Sequence, residues 1–178
     1  MTNLFAPDLE SALDHIRSAP RDRGTVELIV RRPTPGTREV LETAELDTAV
    51  GLVGDSWSTR ERVDPDAQLN IMTSRMTTLL APDEMGVALA GDQLYLDLDF
   101  TIDNLPAGTQ LRIGDVAVIE ITAKPHTGCK KFAARFGPEI TRFVNTGAGK
   151  ELRLRGICAK VVAGGTISRG DAVTKLAT

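Results

Sequence analysis

The chain has 178 residues, of which 42% are apolar and 25% charged, with two cysteines and a formal net charge of −3. That is an ordinary globular composition, enough for one domain with a real core. No apolar run nears the ~20 residues that cross a bilayer. The first ten residues lack the basic head and apolar stretch of an export signal. The acidic balance argues against nucleic acid as a general partner. The expectation is a cytoplasmic protein with free thiols and neither membrane nor nucleic-acid partners.

Residues 7–17 read as a short helix, with Leu9, Leu13 and Ile16 on one face and Pro20 beyond its end. His15, beside Asp14, reads as a surface residue. This segment sets residues 1–22 apart as a helical extension of a domain spanning 23–178. From Gly24 the pattern turns to strands. Residues 25–30 are β-branched and apolar, Pro33 to Gly36 form a turn, and residues 38–46 supply a hairpin partner. Leu94, Leu96, Leu98 and Phe100 alternate with Gln93, Tyr95, Asp97 and Asp99. Residues 116–122 and 152–162 are further strands, the second holding Cys158 as a core thiol. Gly-Asp recurs at Gly54-Asp55, Gly91-Asp92, Gly114-Asp115 and Gly170-Asp171, mostly as strand punctuation. Residues 74–80 and 130–145 are helical. In the latter, Phe132, Phe136, Ile140 and Phe143 form a core stripe and Pro138 starts a second helix. The fold class is mostly β with a few short helices, barrel-like.

The chemistry concentrates around one thiol. Residues 124–155 hold eight Lys/Arg and two acids, a balance of +6 that leaves −9 for the rest, which suggests an anion-binding site. Inside that window runs Lys124-Pro125-His126-Thr127-Gly128-Cys129-Lys130-Lys131. Cys129 falls at a helix start, where free N–H groups, Lys130, Lys131 and His126 favour the thiolate. Gly128 leaves room for a ligand to approach the backbone. A thiolate is a nucleophile and a soft metal ligand. His126-x-x-Cys129 lacks the other two ligands of a zinc site, so no zinc is expected. Gly147-Ala148-Gly149-Lys150 has the wrong spacing for a phosphate-binding P-loop. Trp57 is a packing residue before it is a cover for a planar ligand.

Taken in order, Val50-Gly51-Leu52-Val53-Gly54-Asp55, Gln68-Leu69-Asn70-Ile71-Met72, Asp103-Asn104-Leu105-Pro106, Leu111-Arg112-Ile113-Gly114-Asp115, the Cys129 loop, Leu154-Arg155-Gly156-Ile157 and Gly165-Thr166-Ile167-Ser168-Arg169-Gly170-Asp171 resemble the MOSC family, named for the C-terminal domain of molybdenum-cofactor sulfurases. The resemblance covers about residues 23–178. It implies a MOSC-type β-barrel-like fold in a stand-alone member, with a loop cysteine, here Cys129, that carries sulfur as a persulfide or ligates molybdenum in a bound pterin cofactor. The family's asparagine maps to Asn104 and its Arg-Gly to Arg155-Gly156; Lys130, Lys131, Arg135, Arg142 and Arg155 would be available for the phosphate of that molybdenum cofactor, and His126 and Gly128 are further cofactor-binding candidates. Many members carry Pro-Cys where this chain has Gly128-Cys129. The aminotransferase-like, partner β-barrel and ferredoxin-like domains of larger members have no counterpart here. Any sulfur transfer or redox activity would therefore need partner proteins, such as a cysteine desulfurase or a redox partner. The competing expectations are a binding module that keeps the fold without thiol chemistry, and a structural role with Cys129 merely packed.

Overall fold

A computed structural model describes residues 6–177, and for residues 6–10 their backbone alone, so the packing expected of Leu9 lies outside the described residues. The chain runs α1 (Ala6–Arg17), β1 (Arg23–Arg31), β2 (Glu39–Leu41), β3 (Thr43–Asp47), β4 (Gly51–Leu52), β5 (Leu69–Thr73), α2 (Thr77–Leu80), α3 (Glu84–Ala88), β6 (Leu94–Asp97), β7 (Gln110–Ile113), β8 (Ala117–Ile121), α4 (Lys130–Phe136), α5 (Pro138–Asn145), α6 (Gly147–Glu151), β9 (Ile157–Ala163), β10 (Gly165–Ser168) and β11 (Ala172–Lys175). Seven strands close on themselves in the order β1-β6-β5-β9-β8-β7-β11 and back to β1. All neighbours are antiparallel except β5 and β6. Closure leaves no open edge within the ring. The β1–β2 hairpin stands as expected, but the chain then leaves it at Glu42, and β3 joins β4 and β10 in a separate sheet.

Side chains on a strand alternate between faces, and here both faces are covered. Ile71, Leu94, Leu96 and Ile157 point into the barrel with Ile29 and Ile119. Their neighbours Met72 and Tyr95 point outward, beneath the helices, where they meet Phe132, Ile140, Val144 and Leu154. Tyr95 is fully buried, and its hydroxyl donates to Val87 O at 3.0 Å. The polar-looking side of the residue 93–99 alternation is thus a second core. Ile16 of α1 joins this cluster, with Leu13 packed against it. The expected strand at residues 92–100 is regular only over β6; Asp99 caps the following turn by accepting from the Thr101 amide and hydroxyl.

Helix α5 opens at Pro138, which fits the first turn, where no N–H is needed. Ile140 and Val144 face the barrel, while Glu139 and Arg142 face water. The break between α4 and α5 falls at Gly137, whose φ of 90° an L side chain resists. Phe132 and Phe136 pack with ring centres 4.9 Å apart. Cys158 on β9 is 2% exposed, as expected of a core thiol.

One glycine fixes where β9 begins. Gly156 has φ 115°, and a methyl group on it would meet Ile71 O at 2.2 Å and His126 Cδ2 at 2.9 Å. Gly156→Ala must therefore push β9 off β5 and His126 out of place. Urea denaturation should show a loss of at least about 2 kcal/mol; an unchanged midpoint would mean that the strand start is not so constrained.

Candidate functional site

Loop residues 122–129 carry the chain from β8 to α4 across the open end of the barrel. Asn145, the last residue of α5, holds this loop from both sides: its Oδ1 accepts from the Gly128 amide at 2.9 Å, and its Nδ2 donates to Gly128 O at 3.2 Å. A side chain on Gly128 would press on Asn145, Thr141 and Val144 within 3.4 Å. The small size of Gly128 thus lets α5 pack against the loop.

Cys129 follows with extended backbone (φ −104°, ψ 177°) as the residue that opens α4. Its thiol is exposed. Burial, slight here, pushes its pKa up; the amides of Phe132 and Lys131 and the charge of Arg155 outweigh it, and the thiol ionises below its ordinary value. Cys158 is the opposite case. Burial first, then the nearby Asp92 carboxylate, push it up to about 12, and its Sγ–H lies 3.6 Å from Asn70 Oδ1. The two thiols of one chain differ in kind.

Beneath the loop lies the polar centre of the site. Asp92, fully buried, receives Arg155 Nη1 on Oδ2 at 2.8 Å and His126 Nε2 on Oδ1 at 2.7 Å. Burial alone would raise the carboxyl pKa, but Arg155 and His126 hold it below the ordinary carboxylate value. Arg155 Nη2 also donates to Ala90 O at 3.1 Å, and its guanidinium lies over the Phe132 ring, 4.7 Å from the centroid. Arg155 is thus the one cation shared by the buried carboxylate, the first turn of α4 and the Cys129 thiol.

A cleft of about 980 Å³ opens beside this centre. Its wall includes His126, Gly128, Lys150, Arg153, Arg155 and Cys158. Cys129 stands at the rim, one residue beyond Gly128, and is not part of the wall. Arg153 takes the left-handed backbone (φ 49°), rare for a non-glycine residue. Its Nη2 donates to Leu105 O at 2.6 Å. Arg153 and Arg155 each keep a buried Nε–H with no hydrogen-bond partner among the described residues. Lys124 also lines the cleft but is paired with Asp64 at 2.8 Å. A second groove, of about 510 Å³, lies beneath α2 and α3; both of its arginines are paired, Arg75 with Asp97 and Arg169 with Glu84.

The residues expected around Cys129 divide accordingly. His126, Gly128 and Arg155 meet at the cleft. Lys130, Lys131, Arg135 and Arg142 are exposed on the helices and do not line it. Arg135 reaches instead to Leu89 O at 2.6 Å. Asn104 is buried away from the cleft, its amide spent on Arg21 O, Asp99 O and Lys175 Nζ. It ties the turn after β6 to β11, with both of its N–H donors engaged. Trp57 is buried beside Asp55. Three contributors were missed, among them Arg153, which was counted only in the basic window. Asp92 was read as turn punctuation, and the bond to Arg155 that gives it a role spans 63 residues. Lys150 was seen in a failed P-loop motif, although its place on short α6 turns it into the cleft.

The family model for the MOSC domain matches residues 65–174. The chain belongs to the MOSC family. Among solved structures, the YuaD protein from Bacillus subtilis is similar with a TM-score of 0.60 at 14% identity, covering 85% of this chain and 94% of that one. YiiM from Escherichia coli is similar at 0.57 and 20% identity, covering 86% and 70%. YiiM from Geobacillus stearothermophilus gives 0.55 and 14%, covering 86% and 73%. At these identities the likeness is one of fold. No curated protein matches the chain. The mostly β, MOSC-type barrel expected from the sequence is the fold observed. No helix among the described residues is long and apolar enough to cross a membrane.

Asp92 gives the site its most direct test. Asp92→Asn removes the charge that Arg155 and His126 share and leaves a buried guanidinium unpaired. Urea denaturation should show a loss of about 3–5 kcal/mol. Because the folded pKa of Asp92 is depressed, its contribution is present above the unfolded value near 3.8 and fades as the pH falls through the folded one. The gap between wild type and variant should therefore narrow on acidification below that range; a gap that stays constant would rule out the ion pair as its source.

Proposed function

We propose that this MOSC-domain protein works through the Cys129 thiolate, at the rim of a cation-lined cleft that takes the molybdenum cofactor. The observation that carries this reading is the position of Arg155. It lines the cleft, keeps a buried Nε–H unpaired, and lies near enough to Cys129 to favour the thiolate. The residues fit the group. Two orphaned Nε–H donors and Lys150 suit a phosphate, and the cleft volume suits a small ligand. Among the described residues no cluster of three or more His, Cys, Asp or Glu could hold a metal. Molybdenum would thus have to arrive in its own chelate, with Cys129 as the soft donor, since Cys158 in the cleft wall is held as a neutral thiol.

When bound, the cofactor would supply redox chemistry at its metal. The chain's own contribution is binding and orientation. Arg153, Arg155 and Lys150 hold the anionic end. Asp92 keeps Arg155 and His126 in place from below. Asn145 fixes the Gly128 backbone, so that Cys129 projects from a constrained loop, and the first amides of α4 favour its thiolate.

A second reading rests on the exposure of Cys129 and its place outside the cleft wall. An ionised thiol on the surface suits a sulfur carrier: it accepts sulfane sulfur from a partner such as a cysteine desulfurase and passes it on. A module that keeps the fold without thiol chemistry would need neither feature.

One experiment separates these. Wild type, Cys129→Ser and Arg153→Gln are incubated with molybdenum cofactor and analysed for retained metal; the wild type is also incubated with a cysteine desulfurase and cysteine, then weighed intact. Cofactor binding predicts molybdenum in the wild type and at least about tenfold less in both variants. Sulfur carriage predicts a one-sulfur mass gain on Cys129 and no molybdenum. Neither outcome in the wild type would leave the module without thiol chemistry.

A further inference from the structure

The turn from α3 to β6 presents four consecutive carbonyls, and a different arginine holds each. Arg38 Nε donates to Ala88 O at 3.1 Å, Arg135 Nη1 to Leu89 O at 2.6 Å, Arg155 Nη2 to Ala90 O at 3.1 Å and Arg32 Nη1 to Gly91 O at 2.7 Å. Four cations on one turn need counter-charge. Two have it: Arg155 is paired with Asp92, and Arg32 with Asp55, each at 2.8 Å between buried side chains. Arg38 and Arg135 have only carbonyl partners among the described residues, Arg38 Nη1 reaching Thr37 O at 2.6 Å. A carbonyl dipole satisfies a hydrogen bond without cancelling a full charge.

One nitrogen of each of these two guanidinium groups borders Gly91. A methyl group on Gly91 would lie 3.6 Å from Arg38 Nη2 and 3.8 Å from Arg135 Nη1. Gly91 has φ 89° and carries no side chain, so nothing fills the space between the two nitrogens. Arg38 is half-buried and Arg135 exposed, so the spot is open to solvent from the Arg135 side. Burial of Arg38, followed by repulsion from Arg135 and Arg32, makes its protonated form harder to hold, as expected where like charges meet without an anion.

We propose that Arg38 and Arg135 form a clamp over Gly91 for a phosphate-type dianion. Two neighbouring guanidinium groups match two charges and several acceptor oxygens, which a lone carboxylate would satisfy only in part. The clamp is separate from the cleft, since neither arginine lines it, and its fate is independent of Cys129. A free phosphate and a phosphate monoester share this chemistry.

The test is a ¹H–¹⁵N NMR titration with inorganic phosphate and, separately, phenyl phosphate, against chloride at matched ionic strength. Phosphate should shift the Leu89 and Gly91 amides saturably, and chloride should not. Tighter binding of phenyl phosphate would assign the clamp to monoesters; equal or weaker binding would assign it to the free ion. Arg135→Gln, an exposed change that leaves the fold intact, should weaken binding at least about tenfold. Arg38→Gln/Arg135→Gln should abolish it, Arg38→Lys/Arg135→Lys should keep a weaker site, and Arg112→Gln on β7 should change nothing. Equal shifts with chloride, shifts that persist in Arg135→Gln, or no saturable shift at all would each overturn the proposal.

Discussion

A single buried carboxylate organises the functional end of this barrel. Asp92 has no contact with water and is held by Arg155 and His126 at hydrogen-bond distance. The three residues come from three places: the turn before β6, the loop before α4 and the start of β9. Burying such charges is costly, and their mutual attraction offsets the cost only with good geometry and saturated oxygens. The Asp92 oxygens have both. The result is less a gain in stability than a fixed relation between three chain segments, one of which carries Cys129. That lock helps to hold Arg155 over the Phe132 ring, where its charge favours the Cys129 thiolate.

The same arrangement divides labour between the two cysteines. Cys158 faces hydrocarbon and a carboxylate, and is held as a neutral thiol. Cys129 faces peptide amides and a guanidinium, and is held toward the thiolate. Both lie on or near one cleft, so the chemistry there is set by electrostatic surroundings rather than by proximity alone. The positive charge is partitioned too. Arg153, Arg155 and Lys150 face the cleft, Arg38 and Arg135 face the α3–β6 turn, and Lys130 and Lys131 face water.

Much of the fold was legible in the sequence because it rests on local rules. A β-branched run marked β1, alternation marked β6, Pro138 marked the start of α5, and the order of short motifs pointed to the family. What escaped was non-local. Tyr95 looked like a solvent-facing member of an alternating strand, and only the helices packed over it make it core. Glu42, where the chain leaves one sheet for another, has no sequence mark. Cys129 itself was legible, since a lone cysteine between Gly and two Lys is unusual. Its partners were not. The basic window counted eight cations but gave no directions, and a helix sends successive residues to different faces. Lys130, Lys131 and Arg135 lie close to Cys129 in sequence but off the cleft in space, while Lys150 and Arg153 do the reverse. Asn104, carried over from the family pattern, spends its amide on backbone and Lys175.

The account stands or falls on the ionisation of one sulfur. Thiolate absorbance followed against pH, in Cys158→Ala so that a single thiol contributes, measures it directly. A midpoint clearly below that of an ordinary cysteine, moving upward when Arg155 is replaced by Gln, is the predicted result. A midpoint at or above the ordinary value, indifferent to Arg155, would contradict it.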